Sequence, residues 1–202
     1  MLTLRKVAVT GGLSCGKSSV CRFFEELGSY VVNADEIVHQ LLTPSTDIGQ
    51  QVINLLGSDI IVNRKIERRI IANKVFNNHA LLLSLEKLLH PAVFCEIETQ
   101  YQQVKIKQKV PLFIAEIPLL FEVNGQDNFD LIIDVWSDPE ICLKHFIAKT
   151  GCDAKEYEKR MSRQLSPNEK AKRADVIINN TGSLHDLRAA VINLFNKLAH
   201  GT

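Results

Sequence analysis

Eight residues near the start of the chain, Gly11-Gly12-Leu13-Ser14-Cys15-Gly16-Lys17-Ser18, fit the spacing G-x-x-x-x-G-K-[ST] in full. The chemistry open to such a segment is the holding of an anion. Backbone N–H groups turn inward around a phosphate only where side chains do not intervene, which asks for glycine at both ends of the loop, and a helix beginning at its end adds partial positive charge. Lys17 then reaches the β- and γ-phosphates of a nucleotide. The Ser18 hydroxyl is the expected protein ligand to Mg²⁺, a hard cation that keeps several waters and takes few protein oxygens, and Ser19 is counted with the nucleotide-contacting residues. Cys15 reads two ways: as a thiol activated by Lys17 and the helix N-terminus, or as a small residue tolerated in the loop.

The elements around the loop decide whether this pattern has its working context. Residues 4–10 form a short apolar, β-branched run broken by Gly11-Gly12, a buried strand entering a glycine loop. From residue 17 to 27 apolar residues recur at Val20, Phe23, Phe24 and Leu27, a helical spacing, and Gly28 is placed to end the helix. Tyr30-Val31-Val32 reads as a second strand, completing a βαβ unit whose crossover makes its strands parallel. Residues 34–108 are helical in pattern, at 48–56, 66–76 and from 80 onward, where Pro91 interrupts or restarts the helix, and carry no convincing strand. Strands resume at 111–115, 131–136 and 175–178, with charged helical stretches at 139–148, 153–165 and 168–173 and a closing amphipathic helix at 183–198.

The expected fold is therefore α/β: a P-loop NTPase-type, five-stranded, mostly parallel sheet with helices on both faces. One domain is expected, with a core of about 1–33, 109–147 and 174–202, a helical substrate-binding insertion at about 34–108 and a helical lid at about 148–173. The chain of 202 residues is long enough for that and short for two independent domains. Apolar residues make up 46% and charged residues 23%, with a formal net charge of +1, so composition gives no support to nucleic-acid binding. No apolar run reaches the ~20 residues of a membrane span, the start lacks a signal-peptide pattern, and the five cysteines form no CxxC pair. A cytoplasmic protein with reduced thiols, no membrane partner and no structural zinc is expected.

A phosphate loop alone does not separate a kinase from a GTPase switch. Asn73-Lys74-Val75-Phe76 begins like a guanine-reading segment but lacks its Asp, and no Asp-x-x-Gly follows a third strand. A kinase also needs an acceptor site, and Asp35 stands just beyond the second strand, where ligands of parallel sheets gather. A carboxylate there can orient an acceptor hydroxyl and take its proton; a helix N-cap is the competing role for the same residue.

Dispersed motifs then appear in order: Thr10-Gly11-Gly12, Ala34-Asp35, Arg68 with Val75-Phe76, Leu89-His90-Pro91, Ile117-Pro118-Leu119-Leu120-Phe121-Glu122, Arg160 with Gln164, Ala174-Asp175 and Asn179-Asn180. Together, over residues 7–182, they resemble the dephospho-coenzyme A kinase family. The resemblance implies ATP on residues 11–18 and dephospho-coenzyme A as acceptor, its ribose 3′-hydroxyl attacking the γ-phosphate. It makes Lys17, Asp35 and Arg160 catalytic, with Asp35 the base or orienting carboxylate and Arg160 a lid arginine on the transferring group. Thr10, Asp35, Arg68, His90, Pro118, Leu119 and Glu122 fall on the substrate side, though His90 could equally be a core or capping histidine and Glu122 could simply hold its loop. Glu116 stands at the place of a Walker B-type acid.

Three positions depart from the family pattern. Asn33 stands where Asp is usual before Ala34-Asp35, and His145 and Lys149 stand where arginines are favoured. Weaker lid contacts to ATP follow from the last two, because lysine lacks the bidentate fork and histidine is largely neutral at pH 7. Gly151 is a candidate hinge for a lid that excludes water from the γ-phosphate. A nucleoside or nucleotide kinase and a non-catalytic nucleotide-binding regulator are the competing functions.

Overall fold

Strand β1 (Arg5–Gly11) is buried at every position after its first, as a nearly continuous apolar run in a parallel sheet must be. The computed structural model describes residues 4–76, 78–107 and 109–200. After β1 come α1 (Lys17–Glu26), β2 (Tyr30–Asn33), α2 (Ala34–Leu41), α3 (Asp47–Leu56), β3 (Ile61–Val62), β4 (Lys65–Ile66), α4 (Arg68–Phe76) and α5 (His79–Lys107). The chain continues through β5 (Leu112–Glu116), β6 (Leu131–Trp136), α6 (Pro139–Thr150), α7 (Ala154–Met161), α8 (Pro167–Arg173), β7 (Val176–Asn179) and α9 (Leu184–His200). It divides into two compact units, residues 1–33 with 101–202, and residues 34–100. The lid stretch at 148–173 falls within the first of these. The end of the expected insertion, Gln108, lies outside the described residues, as do positions 1–3 and 201–202 at the ends of the expected core.

The first unit holds a five-stranded sheet in the order β2-β5-β1-β6-β7, and all four pairings are parallel. Side chains alternate across it. Val7 and Val9, Leu112 and Ile114, and Ile133 and Val135 enter one core with Val20, Phe23 and Phe24 of α1 and Leu187, Val191 and Phe195 of α9. The intervening residues face the other way, where Phe113 stacks on Tyr30 and meets Tyr101 edge-on at 5.4 Å. Helices thus cover both faces, and truncating a fully buried Phe24 or Phe113 to Ala would cost about 3–5 kcal/mol.

Helix α1 ends as its glycine requires. Gly28 adopts φ +91°, its N–H bonds to Glu25 O at 2.9 Å, and Ser29 N–H reaches back to Phe24 O at 3.0 Å, a Schellman closure. Strands β1 and β6 are paired to their C-terminal ends, and the connections leaving them run to opposite sides of the sheet, to β2 beyond β5 on one side and to β7 on the other. That is the topological switch point where open α/β sheets bind ligands, and the phosphate loop leaves the sheet there.

The second unit packs Leu42, Val52, Leu56, Ile60, Ile66, Ile71, Val75 and Leu85 into its own core. Two sequence expectations are corrected in it. Residues 34–100 do contain strands, the two-residue antiparallel pair β3 and β4, joined by Asn63-Arg64 with both φ values positive, 50° and 63°. This is the primed geometry that hairpins favour, but without the usual glycine to announce it. Ile66 accordingly belongs to β4, and α4 starts at Arg68. The second correction is that Pro91 neither stops nor restarts a helix: α5 runs through it, giving up the one backbone bond that proline cannot donate.

Candidate active site

The phosphate loop is held from two sides, and each side explains a glycine. A Cβ on Gly11, which adopts φ +145°, would lie 2.4 Å from Val135 O of β6, and one on Gly16, at φ +103°, would lie 2.3 Å from Asn180 Nδ2. Asn180, just past β7, donates that amide to Cys15 O at 2.8 Å. The glycines are therefore required by close approach of neighbouring chain as well as by an anion's need for bare backbone. Gly16 supplies no side-chain cap to α1, and the helix has no acid in its first turn, which leaves its positive end available to a phosphate. Lys17 Nζ donates to Gly11 O at 3.1 Å and Gly12 O at 2.7 Å, so the ammonium is held over the loop. Leu13 and Ser14 form its outer turn, Ser14 at φ 59°, and Ser19 N–H bonds to Gly16 O at 3.0 Å.

Glu116 stands beside this loop at Ser18. It ends β5 beside β1, in register with Val9 and Asn33, and is 6% exposed. Ser18 Oγ donates to its Oε1 at 2.9 Å and Asn33 Nδ2 to its Oε2 at 2.9 Å. One serine hydroxyl and one carboxylate, both hard oxygen donors, sit next to the phosphate loop; no cluster of three or more His, Cys, Asp or Glu able to hold a metal occurs among the described residues. That sparse set fits Mg²⁺, which retains water and binds substrate phosphate rather than a full protein cage.

On the second unit, Asp35 and Arg68 come together, lining with Glu36, His39 and Gln40 a cleft of ≈510 Å³. Asp35 lies within the first turn of α2 rather than at its N-cap. His90 is half-buried on α5; burial lowers its pKa against the opposing pull of Glu86, so it stands neutral at pH 7. It is not among the residues lining this cleft.

Residues 5–186 match the dephospho-CoA kinase family. The chain belongs to that family. It is 53% identical over 199 residues to the dephospho-CoA kinase of Protochlamydia amoebophila, spanning 98% of each chain. The solved dephospho-CoA kinase of Campylobacter jejuni is 28% identical and superposes with a TM-score of 0.74 over 97% of this chain and 98% of that one. Shikimate kinase from Acinetobacter baumannii, 13% identical, superposes with a TM-score of 0.56 over 95% and 93% of the two chains and speaks to the fold alone.

In this member of the family the Pro-Leu-Leu-Phe-Glu turn is tied into a buried polar network. Thr10, fully buried, donates Oγ1 to Pro118 O at 3.4 Å. Lys170 Nζ of α8 donates to the same carbonyl at 2.6 Å and pairs with Glu122 Oε1 at 3.0 Å, while Leu165 N–H donates to Glu122 Oε1 at 2.8 Å. Glu122 thus holds chain, and Pro118 and Leu119 remain half-exposed beside it. Arg160, on α7, donates Nε to Glu156 at 2.9 Å and lies over the Phe146 ring at 5.3 Å. His145 and Lys149 are exposed on α6, which Gly151 closes in the left-handed conformation at φ 69°.

A second cavity, ≈390 Å³, opens between the phosphate loop and residues 157–167, lined by Gly12, Cys15, Trp136, Tyr157, Gln164 and Pro167 among others. The Cys15 thiol is buried, and burial pushes its pKa up in spite of Lys17. The activated-thiol reading therefore fails, and the small tolerated residue stands.

Two polar residues of this region, Asp134 and Lys170, escaped the sequence reading, and Asn180 was read only as part of the Asn179-Asn180 motif. Asp134, on β6 beside Thr10, is 1% exposed with Oδ1 unbonded; burial raises its pKa to about 6 against Lys170 and Lys17. An acid inside the apolar run 131–136 was the available signal. Lys170 had none, as one of three basic residues between 167 and 173 counted with its neighbours as a solvated face, and the part Asn180 plays in clamping the loop was equally unreadable.

Proposed function

We propose that the enzyme transfers the γ-phosphoryl group of ATP to the ribose 3′-hydroxyl of dephospho-coenzyme A, releasing coenzyme A and ADP, the closing step of coenzyme A synthesis. The observation that carries this reading is the pairing, within a dephospho-CoA kinase chain, of a complete phosphate loop backed by Ser18 and Glu116 with a cleft that places Asp35 beside Arg68.

The loop N–H groups of residues 11–19 and the α1 N-terminus hold the β- and γ-phosphates, and Lys17 moves from the Gly11 and Gly12 carbonyls onto them. Asp35 accepts a hydrogen bond from the acceptor hydroxyl and takes its proton as the new O–P bond forms and the bond from the γ-phosphorus to the bridging oxygen of ADP breaks. Orientation counts for more than basicity here, because phosphoryl transfer is loose. Arg68 binds the anionic acceptor, and the family resemblance assigns Thr10, His90, Pro118, Leu119 and Glu122 to substrate binding as well. Arg160 exchanges Glu156 for the transferring group, where a planar cation stabilises equatorial charge. Magnesium, held by Ser18 with Glu116 behind it, would supply neutralisation of the β- and γ-phosphate charge. The five cysteines are free thiols, consistent with a reducing compartment, and we assign the enzyme to the cytoplasm.

The product decides the reading. Incubation with ATP, magnesium and dephospho-coenzyme A should give one product of coenzyme A mass carrying its phosphate at the 3′ position. A phosphate placed elsewhere, or no product, would refute it.

A further inference from the structure

Lys170 has no part in that chemistry, yet its side chain is wholly enclosed. Burying an ammonium costs several kcal/mol unless it is paired and hydrogen-bonded, so its partners carry information. They are Pro118 O at 2.6 Å, Glu122 Oε1 at 3.0 Å and Gln164 Oε1 at 3.5 Å. Two of these have further bonds: Pro118 O receives Thr10 Oγ1, and Glu122 Oε1 receives Leu165 N–H. One ammonium therefore joins the return segment 164–170, the 118–122 turn and the last residues of β1.

A role in stability alone accounts poorly for this, because a buried ion pair is commonly matched or bettered by apolar residues of the same volume. What such a pair does supply is a fixed geometry. The segment it fixes contributes Gln164, Ser166 and Pro167 to the ≈390 Å³ cavity whose opposite side is Gly12 and Cys15. Pro167 Cγ lies 3.7 Å from where a Gly12 Cβ would stand, so a small shift of this segment changes the space over the phosphate loop.

We propose that Lys170 is a positioning residue: by seating the 164–170 segment on Pro118 and Glu122 it sets the wall of the cavity over Gly12 and thereby the affinity for nucleotide. The proposal rests on the reading of the phosphate loop as the ATP site. It separates from a purely structural role because restoring fold stability does not restore nucleotide affinity.

The test compares wild type, Lys170→Met, and Lys170→Met combined with Glu122→Gln, which removes both buried charges and keeps the protein measurable where the single variant folds poorly. Thermal stability, ADP affinity by calorimetry and substrate-free amide exchange are followed together. The expected result is that the double variant melts near wild type yet binds ADP about tenfold more weakly, with exchange faster in residues 118–124 and 162–170 and unchanged in α1 and α9, and with ATP KM raised more than kcat is lowered. Wild-type ADP affinity and local exchange in a stable double variant would overturn the proposal. Failure of the wild type itself to bind ADP would overturn the nucleotide reading and the proposal with it; faster local exchange with unchanged ADP affinity would overturn the proposal alone.

Discussion

Asn33 donates its side-chain amide to Glu116 Oε2 at 2.9 Å, leaving Oε1 to the Ser18 hydroxyl. The residue that departs from the expected family pattern is therefore one that satisfies the buried carboxylate to which Ser18 of the phosphate loop donates. An aspartate at this position would face Glu116 carboxylate to carboxylate.

Asn33→Asp should exchange a hydrogen bond to a charged acceptor, worth about 1.5–3 kcal/mol, for like-charge repulsion that a divalent cation can relieve. The expected outcome is a lower melting temperature in chelator, largely recovered with magnesium, so that the magnesium-dependent shift exceeds that of wild type. Equal shifts in the two proteins would show that Asn33 does not govern charge at this site.

The glycine at position 16 makes a second prediction. Its φ of +103° and the 2.3 Å approach of Asn180 Nδ2 to an added Cβ mean that Gly16→Ala should destabilise by about 1–3 kcal/mol and weaken nucleotide binding. Asn180→Ala removes the overlap while leaving the backbone strain. The double variant should therefore be less destabilised than the sum of the singles, as neighbours sharing one clash are not additive. Additive losses in chemical denaturation would mean that the Asn180 contact is not what forces the glycine.

Asp134 predicts a pH dependence. Its pKa is raised from the ordinary 3.8 to about 6 by burial, so the folded state holds the proton more tightly than the unfolded one. The stability contribution is fully present below pH 3.8 and is lost as pH rises through about 6. In Asp134→Asn this loss disappears. The stability difference, variant minus wild type, should grow from pH 4 to about 6.5 by up to about 3 kcal/mol and then level off; a difference independent of pH would contradict the assignment.

Much of the active half of the molecule was legible because its signals are local. Residues 131–136 form β6 as expected, and the phosphate loop spans consecutive residues between a strand and a helix, each readable from its own spacing. The β3–β4 pair was not legible, since two residues give no period and Asn63-Arg64 lacks a glycine. Lys170 was hidden for another reason: its burial is set by Pro118 and Glu122, some fifty residues earlier, and nothing in the charged composition of α8 separates it from exposed Lys172 and Arg173. Asp35 shows the intermediate case. Its place after β2 was readable, and the structure adds Arg68 as its neighbour in one cleft and removes it from the N-cap position.

The central claim is most directly tested by ADP release with ATP and magnesium, comparing dephospho-coenzyme A with nucleosides and nucleoside monophosphates, for wild type and Asp35→Asn. Release that requires dephospho-coenzyme A and falls about 10²–10⁴-fold in kcat in the variant, with ATP affinity retained, is the predicted result. Release that depends on a different acceptor, or an Asp35→Asn variant that turns over at the wild-type rate, would contradict it.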